Sequence, residues 1–345
     1  MKEDPDKKWG QTSLLANNNR RIRRNLMRRD RLMRALRTNL QKNDFIEVDT
    51  PILRYYEDPT DNPAFVTLGP LGWPRLHLRT CPEEYTRRCA CVYEKAFEVG
   101  KCFRNERIVS QDGRRIHLPE FTMVEIYEID ADLKVALNRI EDVVRSIVRD
   151  VLGGDKITYQ GTGILFGAPF RRLKVLDSLI ESGNREAVTF AKKHAKAKPR
   201  LIPDEPRVLH ELLDKHVKPA LLQPTFLTHF PKSADYYPDR LIGNEVQRAE
   251  LVIGQMEVGE IGELQPDGCL LQGHSTSAIR ARHGEGAENH LVDEDYIAEI
   301  RAFNRPVGGG AIGIDRLLQL LCDTTDIREV VWYPFVGQLL ERTTI

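Results

Sequence analysis

The sequence predicts an α+β fold, a mainly antiparallel sheet flanked by helices, and three observations carry that expectation. Strand-like stretches at 96–104 and 121–129 are separated by a polar loop, 105–117, as in a long-looped hairpin. Further strand-like runs at 225–230 and 250–253 come without the regular strand–helix–strand alternation of a parallel sheet. Between them lie segments with the apolar period of amphipathic helices. The clearest is 133–152, where Ala136, Leu137, Ile140, Val143, Val144, Ile147 and Val151 share one side.

Taken in chain order, residues 1–19 read as an N-terminal extension and 20–345 as one domain. Residues 1–40 carry 12 Lys/Arg and four Asp/Glu, a local excess of eight positive charges. Ile22, Leu26, Met33, Leu36 and Leu40 recur at near-helical spacing, so this segment packs on a body. Its arginines are either a face for RNA or an acidic partner, or a solvated helix surface. Phe45–Ile52 alternates apolar and polar residues and stops at a proline, as a strand does; a short strand follows at 65–68. Helices are expected at 82–96, 133–152, 174–196, 205–216 and 294–303. Residues 265–290 read as a polar, Gly-rich surface excursion, and Gly308-Gly309-Gly310 leads into a last helix through Leu321.

Composition narrows the classes of function. The 345 residues hold 51 Lys+Arg and 51 Asp+Glu, so the chain does not coat nucleic acid by bulk charge. No apolar run reaches the roughly 18–20 residues of a membrane span, and the polar N-terminus lacks a secretory signal core. Six cysteines in this length make no disulfide scaffold, which leaves a reduced, cytoplasmic protein as the default.

Three stretches join charge to apolar neighbours in ways that core packing does not explain. On a strand, Phe121, Met123, Glu125 and Tyr127 face one side and Thr122, Val124 and Ile126 the other. A carboxylate beside a phenol under an aromatic ring suits a cationic group, and Arg104 on the paired strand suits a phosphate or carboxylate; the alternative is a surface ion-pair ladder. Glu250 and Glu257 flank Gly254-Gln255. A tight turn there brings two carboxylates together, which a cation such as Mg²⁺ shared with phosphates relieves. The run Gly308–Arg316 is neither a Walker A loop nor a dinucleotide fingerprint, yet its glycines allow close approach and Arg316 opens the next helix.

The order of these elements is more specific than any one of them. A strand ending in Pro51, Phe103-Arg104-Asn105-Glu106 with His117-Leu118-Pro119-Glu120-Phe121-Thr122-Met123, and Gly310-x-x-Gly313-x-Asp315-Arg316 together resemble the three signature motifs of class II aminoacyl-tRNA synthetases. The nearest resemblance is to lysyl-tRNA synthetase and to the truncated lysine ligase of elongation factor P. It implies a catalytic domain over 20–345, a homodimer with Pro51 at its interface, and ATP with Mg²⁺. It further implies that Arg104 grips the α-phosphate, Glu106 and His117 position ATP, and Phe121 stacks on adenine. Glu250 and Glu257 match metal acids, and Arg316 the holder of the terminal phosphates. Glu83 matches an acid that seats the substrate amine, and Glu125 and Tyr127 match residues gripping the lysine ammonium.

Two features imply the elongation factor branch. The first motif ends at Pro51, with no room before it for an anticodon-binding barrel, and Ala311 stands where synthetases usually carry glycine. The resemblance then implies transfer of lysine or β-lysine to a lysine of elongation factor P or another acidic protein. The sequence departs from the family at Leu118, where asparagine is expected, and at Gly259–Leu264. There Glu260 stands near the usual asparagine, the aromatic is absent, and Glu263 takes the place of the pocket acid. Alternatives are a stand-alone ligase charging tRNA or a small amine with another amino acid, and an inactive RNA-binding or regulatory paralogue. Retention of Arg104, Glu106, Phe121, Glu250, Glu257 and Arg316 together opposes the last.

Overall fold

The computed structural model describes residues 19–56, 62–70, 75–106, 116–196, 205–232, 239–264, 267, 271–273, 276 and 293–334. Residues 1–18 of the expected extension, with Lys2, Lys7 and Lys8, lie outside these, as do 107–115 of the long loop and most of the 265–290 excursion.

Fourteen strands run in order among the described residues. They are β1 (Ile46–Glu47), β2 (Leu53–Arg54), β3 (Val66–Leu68), β4 (Arg75–Leu78), β5 (Lys95–Phe103), β6 (Glu120–Ile129), β7 (Lys156–Tyr159), β8 (Thr162–Leu165), β9 (Arg171–Lys174), β10 (Thr225–Pro231), β11 (Leu241–Ile242), β12 (Glu245–Ile253), β13 (Met256–Glu263) and β14 (Val307–Gly313). Nine form the main sheet, in the order β1-β5-β6-β14-β13-β12-β10-β9 with β11 on β12. From β5 to β10 all neighbours are antiparallel, while β1 and β9 add in parallel at the edges. The α+β expectation therefore holds, and the hairpin of 96–104 with 121–129 is β5–β6.

Strand alternation sorts the sheet into two faces. Val124, Ile126, Ile261, Ile312 and Leu251 join the main core beneath the helices Arg20–Lys42, Leu133–Leu152 and Ile314–Cys322. Leu133–Leu152 runs between two sequence-coded stops: the Asp132 side chain accepts from the Val135 N–H at 2.8 Å, and Gly153 closes the helix at φ 78°. On the other face, helices Glu83–Tyr93 and Glu294–Phe303 pack at one side against Ala96, Tyr127 and Val307. An inserted helical lobe from Val175 to Ala220 packs at the other side on Leu227, Phe230, Val246 and Val252.

Several boundaries differ from the expectation. The 45–52 stretch is a strand only at Ile46–Glu47, because Leu53–Arg54 leaves to pair with β4 in a separate small sheet. The single helix expected at 174–196 is two, Val175–Glu181 and Arg185–Lys196, split at Gly183 with φ 67°. Strands β2, β4, β7, β8, β9 and β11 went unread, since runs of two to four residues give a weak alternation signal, whereas β13 is the strand expected through Gly259–Leu264.

The basic first helix resolves into mixed roles. Ile22, Leu26, Leu36 and Leu40 are buried, as its periodicity requires. Arg29 is buried with them: its guanidinium pairs with Asp315, donates to the Val330 carbonyl at 3.1 Å and to Thr122 Oγ1 at 2.8 Å. Arg28 donates to the Leu321 carbonyl at 2.8 Å, whereas Arg20, Arg23, Arg24 and Arg31 are exposed. Removing Arg29 takes away the cation paired with the buried Asp315 carboxylate, which keeps the hydrogen bond from the Thr122 N–H. Arg29→Met is therefore expected to destabilise the fold by about 3–5 kcal/mol in urea unfolding.

Candidate active site

A cavity of about 380 Å³ opens on the sheet face between the helical lobe and the Glu83–Tyr93 helix. Of the residues expected to carry chemistry, Glu83, Arg104, Glu106, His117, Phe121, Glu125, Tyr127, Glu257, Glu260, Ala311 and Arg316 line it. Register explains the convergence. Glu125, Ala311 and Glu260 lie side by side on β6, β14 and β13, and Glu250 follows opposite Glu260 on β12. The side chains of one row across a sheet point to the same face.

One end of the cavity is rich in carboxylates. The Tyr127 hydroxyl donates to Glu125 Oε2 at 2.7 Å, and Cys81 Sγ and carboxylate oxygens of Glu83 and Glu125 lie within 4.8 Å of one another. Arg87 is buried among them: it pairs with Glu83 at 2.8 Å and Asp239 at 3.4 Å, and its guanidinium lies 4.9 Å from the Tyr127 ring centre. Arg248 pairs with Glu260 at 2.6 Å and Glu250 at 3.3 Å. Glu83, Glu84, Glu125, Asp239 and Glu260 line this end with two arginines, Arg87 and Arg248. Burial and the nearby Glu83 push the Glu125 carboxyl up to about 8, against the opposing pull of Tyr127 and Arg87. Burial likewise raises Asp239 to about 7 and lifts Glu260. At pH 7 the Glu125 carboxyl is therefore mostly protonated.

The other end is cationic. The Arg104 guanidinium lies 5.1 Å from the Phe121 ring centre. Arg316 donates to the Glu257 carbonyl at 2.7 Å and reaches His117 Nδ1 at 3.4 Å; Glu106 Oε2 is 3.5 Å from the same nitrogen. Burial, with Arg316 and Arg104 close by, lowers His117 to about 4, so the ring is neutral at pH 7. Asp315 anchors this end from behind, accepting from the Thr122 N–H at 2.8 Å. Phe121, Arg104 and Arg316 thus surround a region suited to a ring carrying phosphates.

Two expected residues stand apart from the cavity. Glu263 pairs with Arg240 at 2.7 Å and accepts from the Leu133 N–H at 3.3 Å. It cannot share the cavity face with Glu260, because positions three apart on a strand point oppositely. Glu263 is therefore not the pocket acid expected of it, and Glu260 is the carboxylate of this strand that lines the cavity. Glu250 faces the same side of the sheet as Glu260 but is buried beside Arg248 and is not part of the cavity lining. Gly254 and Gln255 form the expected turn, with φ 57° and 67°, and a bulge between Leu251 and Val252 re-aims β13 next to Glu257. Glu250 and Glu257 do converge, but on the ammonium of Lys218, 3.0 Å from the first and 2.8 Å from the second. Mg²⁺ needs oxygen ligands at about 2.0–2.1 Å. The space between the acids is already taken by a cation, and as arranged the pair does not fit the ion.

Sequence reasoning missed Cys81, Arg87, Asp239 and Arg248 in the cavity wall. Arg87 was readable, four residues after Glu83 on one helix face. Asp239 and Arg248 come from distant segments and carried no local signal.

This sheet, with a paired carboxylate and cationic end, is the scaffold of an adenylate-forming synthetase, and the chain belongs to the class II tRNA synthetases (D, K and N), whose pattern matches residues 6–337. Membership makes it an ATP-dependent ligase. Among similar proteins, a lysine–tRNA ligase of Clostridium botulinum (strain Hall) is 32% identical over 347 residues, covering 96% of this chain and 68% of the relative. Lysine–tRNA ligases of Carboxydothermus hydrogenoformans and Thermosynechococcus vestitus are each 31% identical, covering 92% and 96% of this chain and 66% and 67% of theirs. Among the described residues no helix is long and apolar enough to cross a membrane.

Proposed function

We propose that the protein activates lysine or a close diamino acid such as β-lysine with ATP, and passes the aminoacyl group to an acceptor. The observation that carries the reading is the carboxylate-rich end of the cavity, where Glu83, Glu125 and Glu260 outnumber their arginine partners around space for an ammonium. The resemblance to lysine–tRNA ligases supports it.

In this reading the substrate carboxylate oxygen attacks the α-phosphorus, the bond to the β-phosphate breaks, and pyrophosphate leaves with the electron pair. Two anions must meet, so Arg104 neutralises the α-phosphate and carboxylate, and Arg316 the leaving phosphates. Glu106 and neutral His117 orient the nucleotide over Phe121. Glu125 and Tyr127 hold the side-chain ammonium, with Glu83 on the amine and Ala311 as the floor between Glu125 and Glu260. Glu250 and Glu257 stay paired with Lys218, and Mg²⁺ enters with ATP. The acceptor nucleophile then attacks the carbonyl carbon and releases AMP.

The relatives' names favour tRNA as acceptor. Ala311 on the pocket floor favours a lysine of elongation factor P or a similar acidic protein, approached by the exposed arginines of the first helix. Pro51, Ile52 and Leu53 are exposed, and a homodimer would cover them. The test is pyrophosphate exchange with a panel of amino acids, followed by transfer to tRNA, elongation factor P and free amines. Exchange with no proteinogenic amino acid, β-lysine or diamine would sink the substrate assignment.

The charged seat also sets a pH dependence. Below about pH 8 Glu125 holds a proton that an incoming ammonium must displace. The KM for lysine in exchange is therefore expected to fall as pH rises from 6.5 to 8.5. Calorimetry in buffers of different ionisation enthalpy at pH 7 should register proton release on binding.

A further inference from the structure

The acid pair contains a third member that no motif pointed to. Lys218 is 7% exposed, and its ammonium touches Glu250 Oε2, Glu257 Oε2 and Asp214 Oδ1 at 3.0, 2.8 and 2.9 Å. Its delivery is built into the backbone. Helix Glu205–Leu212 widens into a π-helical turn, Leu213–Val217, and then tightens into the turn Lys218–Ala220 with Pro219 inside it. Wide turns of this kind are uncommon and frequently mark functional sites. The segment is fastened to the hairpin that carries both acids. Gln255 Nε2 donates to the Pro219 carbonyl at 2.6 Å, the Gln255 N–H to Leu221 at 2.9 Å, and the Gly254 N–H to Leu222 at 3.0 Å. Leu213 and Val217 lock the same segment into the core of the lobe.

We propose that Lys218 is the resident cation of this site: its ammonium occupies the place where a divalent ion would otherwise join Glu250 to Glu257. The protein alone then binds no divalent ion at the pair, and the metal needed for turnover is the one that ATP carries. An ion seated on these carboxylates would bring two further positive charges against an ammonium that is itself buried beside Glu250. An ammonium fixed to the hairpin neutralises both acids without dehydrating an ion and keeps them at one separation. Lys218 is thus a positioning residue, acting on nucleotide through Glu257 and the Glu257 carbonyl that accepts from Arg316.

The inference does not depend on which amino acid is activated, and its test reads ion binding in the absence of any substrate. Mn²⁺ is titrated into the full chain without nucleotide and free ion is followed by electron paramagnetic resonance. The quantity scored is the binding removed by Glu257→Gln. Wild type is expected to show none below 1 mM ion. Lys218→Met, which keeps the apolar stem, is expected to gain one such site at least tenfold tighter, and Lys218→Arg to gain none. Melting curves and circular dichroism establish that each variant is folded. Glu257-dependent binding in wild type that Lys218→Met leaves unchanged overturns the proposal, because the lysine then yields to the ion. A folded Lys218→Met without the new site overturns it too.

Discussion

Arg316→Ala is expected to lower amino-acid-dependent pyrophosphate exchange by about 10²–10³-fold, the usual cost of removing one charged donor from a developing anion. The side chain is half-buried and its backbone opens the last helix, so the loss should come without unfolding. Its guanidinium spans the Glu257 carbonyl and His117, and that fork cannot be reproduced by a point charge. Arg316→Lys should therefore recover little. A variant that melts with wild type and retains exchange within threefold would remove Arg316 from the phosphate end.

The second large effect belongs to Glu125. Glu125→Gln is expected to abolish exchange with lysine while making the empty protein more stable at alkaline pH. The folded-state carboxyl titrates at about 8, above its ordinary value of 4.5. Between those values the native state holds a proton that the unfolded chain has lost, so stability falls as pH rises through that window. Glutamine still accepts from the Tyr127 hydroxyl and never acquires the charge. The melting temperature of the variant should exceed wild type by at least about 2 °C at pH 8.5, and the gap should close near pH 4.5. Saturating lysine should stabilise wild type and leave the variant unmoved. Both outcomes are read in one set of melting curves.

What could be read in advance divides along physical lines. Alternation on β6 assigned Phe121, Met123, Glu125 and Tyr127 to one face because a period of two needs only local sequence. The Gly254-Gln255 turn was readable for the same reason, as was the helix between Asp132 and Gly153. Lys218 was not, since it lies 32 and 39 residues from its partners in a segment whose backbone leaves the ordinary helical path. Glu263 misled because family spacing was carried over without the strand's parity, and parity decides which face a carboxylate serves. The first helix showed the limit of counting charge: Arg29 and Arg20 look alike in sequence, yet one is a buried strut and the other lies in solvent.

The glycines of β14 have a consequence for anyone who surveys this protein by saturation mutagenesis. A side chain at Gly309 would strike the Ile126 carbonyl and the body of Tyr127, and one at Gly310 the Glu260 carbonyl. Neither residue offers a functional group to any reactant. A fitness map will nonetheless score them as intolerant as Arg316, and an expression screen run beside it will tell them apart. Variants at the glycines should disappear from the soluble pool, while Arg316 variants should accumulate there as well-folded, silent protein.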